Sequence, residues 1–184
     1  PQLEPDLLVR DVLADEVPHR GPPLLEEGQV GGVQLALPHD QPLQYRVRST
    51  FGVTGPFTFK AGVSRNKKFR FAAFGDTRTG HQVHRLLIEA MTREQIDFVI
   101  NSGDLVEFGG VEEQWNNFFR IEAPLISSTV LFPVVGNHDD SPRQFFHQYF
   151  LMPQWNNAHR YYLQDWGDVR FVAMDTQIEM RAGS

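Results

Sequence analysis

Three segments of the 184-residue sequence end in side chains able to hold a cation or move a proton. Each is an apolar run that stops at a glycine: Phe71-Ala72-Ala73-Phe74-Gly75-Asp76, Phe98-Val99-Ile100-Asn101-Ser102-Gly103-Asp104, and Phe132-Pro133-Val134-Val135-Gly136-Asn137-His138-Asp139-Asp140. Short apolar runs of this kind suit buried strands, and the glycine lets the chain turn sharply so that the next side chain aims inward. Three strand ends therefore present Asp76, Asp104 and Asn137-His138-Asp139. Carboxylate and amide oxygens suit hard or borderline divalent cations, and a carboxylate between two cations can bridge them. An imidazole beside them can shuttle a proton near neutral pH. A lone Gly-Asp after a strand is ordinarily a turn or a helix cap; the joint order of all three carries the signal.

Between these ends the patterning reads strand, helix, strand. Phe69 to Phe74 is the first strand, and Gln82 to Gln95 carries Val83, Leu86, Leu87, Ala90 and Met91 as the stripe that would face a sheet. Ile96 to Ile100 is the second strand. A second helix follows through Val111, Trp115, Phe118 and Phe119, and Thr129 to Val135 makes the third strand. A β-α-β-α-β run implies a mostly parallel sheet with right-handed crossovers, and functional groups then gather beyond the carboxyl ends of its strands. The aromatic segment Arg143 to Phe150 reads as core covering the sheet. Tyr161 to Gln164 and Val169 to Met174 flank Asp165-Trp166-Gly167-Asp168 as a hairpin.

Upstream the grammar is different. Residues 1 to 30 show no sustained period, and Pro18, Pro22 and Pro23 break any long helix. Val33, Leu35 and Leu37, then Leu43, Tyr45 and Val47, alternate with less apolar neighbours, which predicts an antiparallel hairpin across His39 to Pro42. Phe57 and Phe59 suggest a third strand after a turn-like Gly52 to Pro56 segment. Apolar patterning lapses over residues 61 to 69, placing a boundary that divides the chain into residues 1–65 and 66–184. About 60 residues is short for a complete β-sandwich, which takes roughly 100.

Composition bounds the function. The net charge is −6, which argues against a nucleic-acid partner, whose phosphates call for concentrated Lys and Arg. No cysteine is present, so thiolate metal sites and cysteine nucleophiles are excluded. No apolar run approaches the roughly 18 residues of a membrane span, and no membrane partner is expected. The sequence opens at Pro1 without a charged-then-apolar segment, and its residues do not fix a localisation.

Two Gly-Asp strand ends followed by Gly-Asn-His-Asp, with steps of 28 residues from Asp76 to Asp104 and 33 from Asp104 to Asn137, resemble the first half of the calcineurin-like metallophosphoesterase family, which includes the purple acid phosphatases. The resemblance covers residues 70 to about 178. The alternating segment before it is similar to the tail of the fibronectin-like β-domain that precedes the catalytic domain of purple acid phosphatases. The fold implied is α/β: a β-α-β-α-β half-domain, part of a two-sheet α/β sandwich, preceded by a partial all-β fibronectin-like domain.

The resemblance also implies roles. Asp76 matches a ligand of the first metal, Asp104 the carboxylate bridging both metals, and Asn137 the amide ligand of the second. His138 matches the histidine that meets the substrate phosphate and assists leaving-group protonation, with Asp139 orienting it. The cofactor implied is a pair of metal ions, Mn, Fe or Zn, and the partner is a phosphoester substrate, either a monoester or a diester. By analogy with the family the setting is secreted or extracytoplasmic.

Three departures accompany it. Where the family often has a histidine two residues after the first aspartate, this chain has Arg78, which cannot ligate a metal. Where purple acid phosphatases carry a tyrosine three residues after the bridging aspartate, it has Glu107, expected to face solvent or to sit behind the ligands, so the iron-tyrosinate colour is expected to be absent. The family's later motifs, a histidine after the fourth strand and a Gly-His-x-His segment, have no counterpart in these residues, so truncation before the histidine motifs is expected. His81 and His84 read as helix-surface or capping residues, and His147 and His159 as structural.

The leading expectation is a metal-dependent phosphoesterase. The alternative is a catalytically incomplete fragment or remnant that binds phosphate or a partner. A nucleotide-binding α/β domain is disfavoured, because Gly75 to Gly80 has neither a Lys-Ser/Thr pair nor a Gly-x-Gly-x-x-Gly fingerprint.

Overall fold

The computed structural model describes residues 37–50, 52–142, 145–150 and 161–177. Its centre is a parallel three-stranded sheet in the order β3-β4-β5, built from Phe71–Phe74, Phe98–Asn101 and Val130–Pro133. Helix α1 (His81–Arg93) links the first two strands and α2 (Glu112–Ile126) the last two. The predicted β-α-β-α-β run is thus present, with ends shifted by at most two residues.

Alternation along β4 divides the core between two faces. Val99 packs on one side with Ile88 and Met91 of α1 and Ile121 and Leu125 of α2. Phe98 packs on the other with Val63 and Trp166, its ring centroid 4.7 Å from that of Trp166. Trp166 belongs to the antiparallel pair β6 (Tyr162–Trp166) and β7 (Val169–Ala173), so the predicted hairpin forms across a tighter turn at Gly167-Asp168. Tyr162 anchors that hairpin to the central sheet, its hydroxyl donating to the Pro133 carbonyl at 2.9 Å. Below the site, Leu105, Val106, Trp115, Phe118, Val135 and Phe146 form a third cluster. Phe146 lies in the short helix α3 (Phe145–Tyr149), so the aromatic segment is core, as its composition predicts.

Helix α1 corrects one expectation. Its buried residues are His84, Ile88 and Met91, whereas Val83 and Leu86 are 71% and 59% exposed. The helix is rotated because His84 Nε2 pairs with Glu122 Oε1 of α2 at 2.7 Å, both groups being buried. A buried, hydrogen-bonded pair between the helices outweighs the aliphatic stripe in setting which face turns inward.

The upstream hairpin is also different. Strand β1 (Pro42–Ser49) pairs with β2 (Gly52–Lys60), so the segment Gly52 to Pro56 is strand and not turn. Its Gly and Pro fall where the register slips, between Tyr45↔Phe57 and Val47↔Thr54, and a bulge is where a strand accepts a proline. The run Val33 to Ala36 lies outside the described residues. The hairpin reaches the central unit through Tyr45 Oη, which donates to the Ser127 carbonyl at 2.8 Å, and Lys60 Nζ, 2.6 Å from Asp97 Oδ1.

Candidate phosphoesterase site

The loops after β3, β4 and β5 meet at the carboxyl edge of the sheet. The backbone N–H of Asp76 donates to Gly103 O at 2.9 Å, that of Arg78 to Asp104 O at 3.1 Å, and that of Val134 to Asn101 O at 2.8 Å. Asp76 and Asp104 both have φ of 55°, in the left-handed region that aspartate tolerates better than most residues. The sharp turn therefore falls on the acidic residues themselves and, in the second loop, also on Gly103, whose φ is 107°. Gly136 is required by contact: a Cβ there would lie 2.2 Å from both the backbone N and Oδ1 of Asp104. The two loops touch backbone to backbone, and Asp104 Oδ1 accepts the His138 N–H at 3.1 Å.

Asp139 closes this frame. Its buried carboxylate accepts the N–H groups of Leu105 (2.8 Å) and Val106 (3.1 Å) on Oδ1 and of Gly136 (2.9 Å) on Oδ2. Burial pushes its pKa upward, against the backbone N–H donors that favour the charged form. These bonds say what the Asp139 carboxylate touches. The carboxylate positions the loop backbone, while the His138 ring is oriented by the Glu107 carbonyl, which accepts from Nδ1 at 2.8 Å.

Arg78 stands among the acidic groups. Its Nε lies 2.7 Å from Asp76 Oδ1 and 3.9 Å from Asp104 Oδ2, and Nη1 lies 3.8 Å from Glu107 Oε2. Asp76, then Glu107 and Asp104, hold the already high guanidinium pKa higher still. Nη1 also bonds His138 Nε2. A guanidinium only donates, so Nε2 accepts and the ring proton is assigned to Nδ1, consistent with its bond to Glu107. Glu107, expected at the periphery, contributes both its carbonyl and its carboxylate.

The donor set fits the implied metals unequally. Asp104 and the exposed Asn137, on interlocked loops, carry oxygen donors of the kind a divalent cation takes. Around Asp76 the fit is poorer, because Arg78 Nε engages Oδ1 of its exposed carboxylate. Among the described residues no group of three or more His, Asp or Glu side chains comes together to hold a metal. His84 is buried against Glu122 and unavailable, His147 lies in α3, and His159 is outside the described residues. The adjoining cavity, lined by Thr77, Arg78, His81 and His84 among others, measures about 10 Å³. That is room for one water molecule.

A parallel sheet whose three successive strands end in Asp, Asp and Asn-His-Asp defines an α/β metallophosphoesterase-type unit. Comparison agrees: the Calcineurin-like phosphoesterase family matches residues 69–180, and the chain belongs to that family. Among solved structures it resembles a purple acid phosphatase from yellow lupin (Lupinus luteus) seeds, with a TM-score of 0.63 and 22% identity over 78% of this chain. The chain spans 31% of the length of that phosphatase. No curated protein matches it in sequence.

Proposed function

We propose that these residues form part of a phosphoester-hydrolysing centre in which Asp104 and Asn137 hold a divalent or trivalent cation, Mn, Fe or Zn, and His138 assists leaving-group protonation. Residues 66–184 are then the first half of a two-sheet α/β sandwich, and residues 1–65 the end of a fibronectin-like β-domain. The observation that carries the reading is the convergence of Asp104, Asn137 and His138 on two loops held together by backbone contacts. A bound cation supplies charge neutralisation for phosphoryl oxygens and lowers the pKa of water. The chain's own residues do the remainder. Asp104 and Asp139 fix the loop that carries Asn137 and His138, the Glu107 carbonyl aims the imidazole, and Nε2, once released by Arg78, takes a proton from water and passes it to the leaving group.

The test is hydrolysis of p-nitrophenyl phosphate by the intact protein with Mn2+, Fe or Zn2+. Asp104→Ala and Asn137→Ala should abolish metal-dependent turnover, and His138→Ala should lower kcat by about 10²-fold or more. Undiminished activity in Asp104→Ala refutes the proposal. A second reading, a remnant that binds phosphate without turnover, is favoured by Arg78 in the midst of the acids. It predicts phosphate binding with no hydrolysis at any metal concentration.

A further inference from the structure

We propose that the Arg78 guanidinium takes the place of one metal ion, so that the site works with one bound divalent cation and one built-in organic cation. The inference rests on the reading of this site as a phosphoesterase centre and specifies its composition. Asp76, the residue that would hold the first metal, is instead hydrogen-bonded to Arg78 Nε at 2.7 Å. The same guanidinium lies 3.9 Å from Asp104 and 3.8 Å from Glu107, the other two carboxylates of the cluster. Three carboxylates facing one guanidinium leave two negative charges, which a single divalent cation balances. A second divalent ion beside Asp76 would displace Arg78 from its partners or sit against a fixed positive charge, and nothing in the cluster offsets that repulsion.

The replacement also does chemistry. Nε is committed to Asp76 and one Nη1 hydrogen to His138, leaving the other Nη1 hydrogen and Nη2 to meet a phosphoryl group. A planar guanidinium fork suits a phosphoryl group, as a point charge does not. In this arrangement Arg78 also occupies the lone pair of His138 Nε2, so an arriving phosphoryl group that draws the guanidinium away frees the imidazole.

Metal stoichiometry tests the idea independently of turnover. The intact protein, saturated with Mn2+ and gel-filtered, should retain one ion per chain by elemental analysis and show the electron paramagnetic resonance pattern of an isolated ion. Arg78→Met and Arg78→His should each gain one ion, and Arg78→Lys, which keeps the charge, should not. Two ions, or the spectrum of an exchange-coupled pair, in the wild-type protein would overturn the inference without the need for any variant to fold. Equal stoichiometry in wild type and Arg78→Met would overturn it as well. If metal-dependent hydrolysis requiring Asp104 persists in either case, the phosphoesterase reading survives and only the role of Arg78 fails. Wild type and all variants binding no metal would overturn both.

Discussion

Replacing Asp139 tests whether the site is held by a backbone frame. Asp139→Ala removes the acceptor of three N–H groups, those of Leu105, Val106 and Gly136, while Leu105 and Val106 are each only 2% exposed. A buried donor left unpaired costs about 1–3 kcal/mol, and relief of the desolvated carboxylate offsets part of the sum. The net loss is about 3–5 kcal/mol, the usual range for stranding buried partners of a charge. Asp139→Asn keeps one oxygen for Leu105 and Val106 but turns an amide NH2 toward the Gly136 N–H, and should cost about 2 kcal/mol. With a urea m value of about 2 kcal/mol/M, the unfolding midpoint should fall by about 2 M for Ala and about 1 M for Asn. Hydrogen exchange at Leu105 and Val106 should accelerate in both variants. A midpoint for Asp139→Ala within experimental error of wild type would refute the reasoning, as would Asn costing more than Ala.

Other changes read separate parts of the fold. Glu122→Ala strands His84 between the helices and should cost about 3–5 kcal/mol, whereas the double change His84→Phe with Glu122→Leu should be near neutral or stabilising; denaturant unfolding of the pair decides, and an equal loss in both would refute the account of why α1 is rotated. Gly136→Ala should cost about 3 kcal/mol through collision with Asp104 and should abolish hydrolysis; a crystal structure of a stable, active variant would refute the close approach. Tyr162→Phe should cost about 1 kcal/mol at pH 7 through loss of the bond to Pro133. Burial raises the Tyr162 pKa far above its ordinary value of 10.0, so its hydroxyl contributes stability that is whole below pH 10 and lost as pH rises toward the raised value. The alkaline decline in melting temperature should therefore be shallower in Tyr162→Phe, and an unchanged slope would count against burial as its cause.

The order of strands and helices was legible because apolar runs ending in Gly-Asp or Gly-Asn announce both a buried strand and its turn. Asp76, Asp104, Asn137 and His138 all fall at the predicted edge of the sheet. Other features depend on contacts between distant positions. Hydrophobic periodicity assigned α1 an inward face of Val83, Leu86, Leu87, Ala90 and Met91, of which Met91 alone is buried, and only the pairing of His84 with a residue 38 positions away turns the others outward. A glutamate inside the apolar face of α2, at Glu122 between Ile121 and Leu125, was the available signal, since a buried carboxylate demands a partner. The role of Asp139 was hidden for a related reason: its partners are backbone N–H groups, which every residue has and no sequence pattern displays. Gly52 to Pro56 misled because glycine and proline mark turns and bulges alike.

The frame that positions the site consists entirely of protein groups. The bonds of Asp76 to Gly103, Arg78 to Asp104, His138 to Asp104, and Asp139 to the N–H groups of two loops all join one protein group to another. Such a frame fixes the side chains before anything binds, so what the edge can accept is set by its charge and by its donor types. Those are the two properties that Arg78 alters, cancelling one negative charge and engaging the one carboxylate, Asp76, whose side chain is 71% exposed. A substitution at this position therefore changes the charge of the cluster while leaving the strands, the turns and the Asp104–His138 contact as they are.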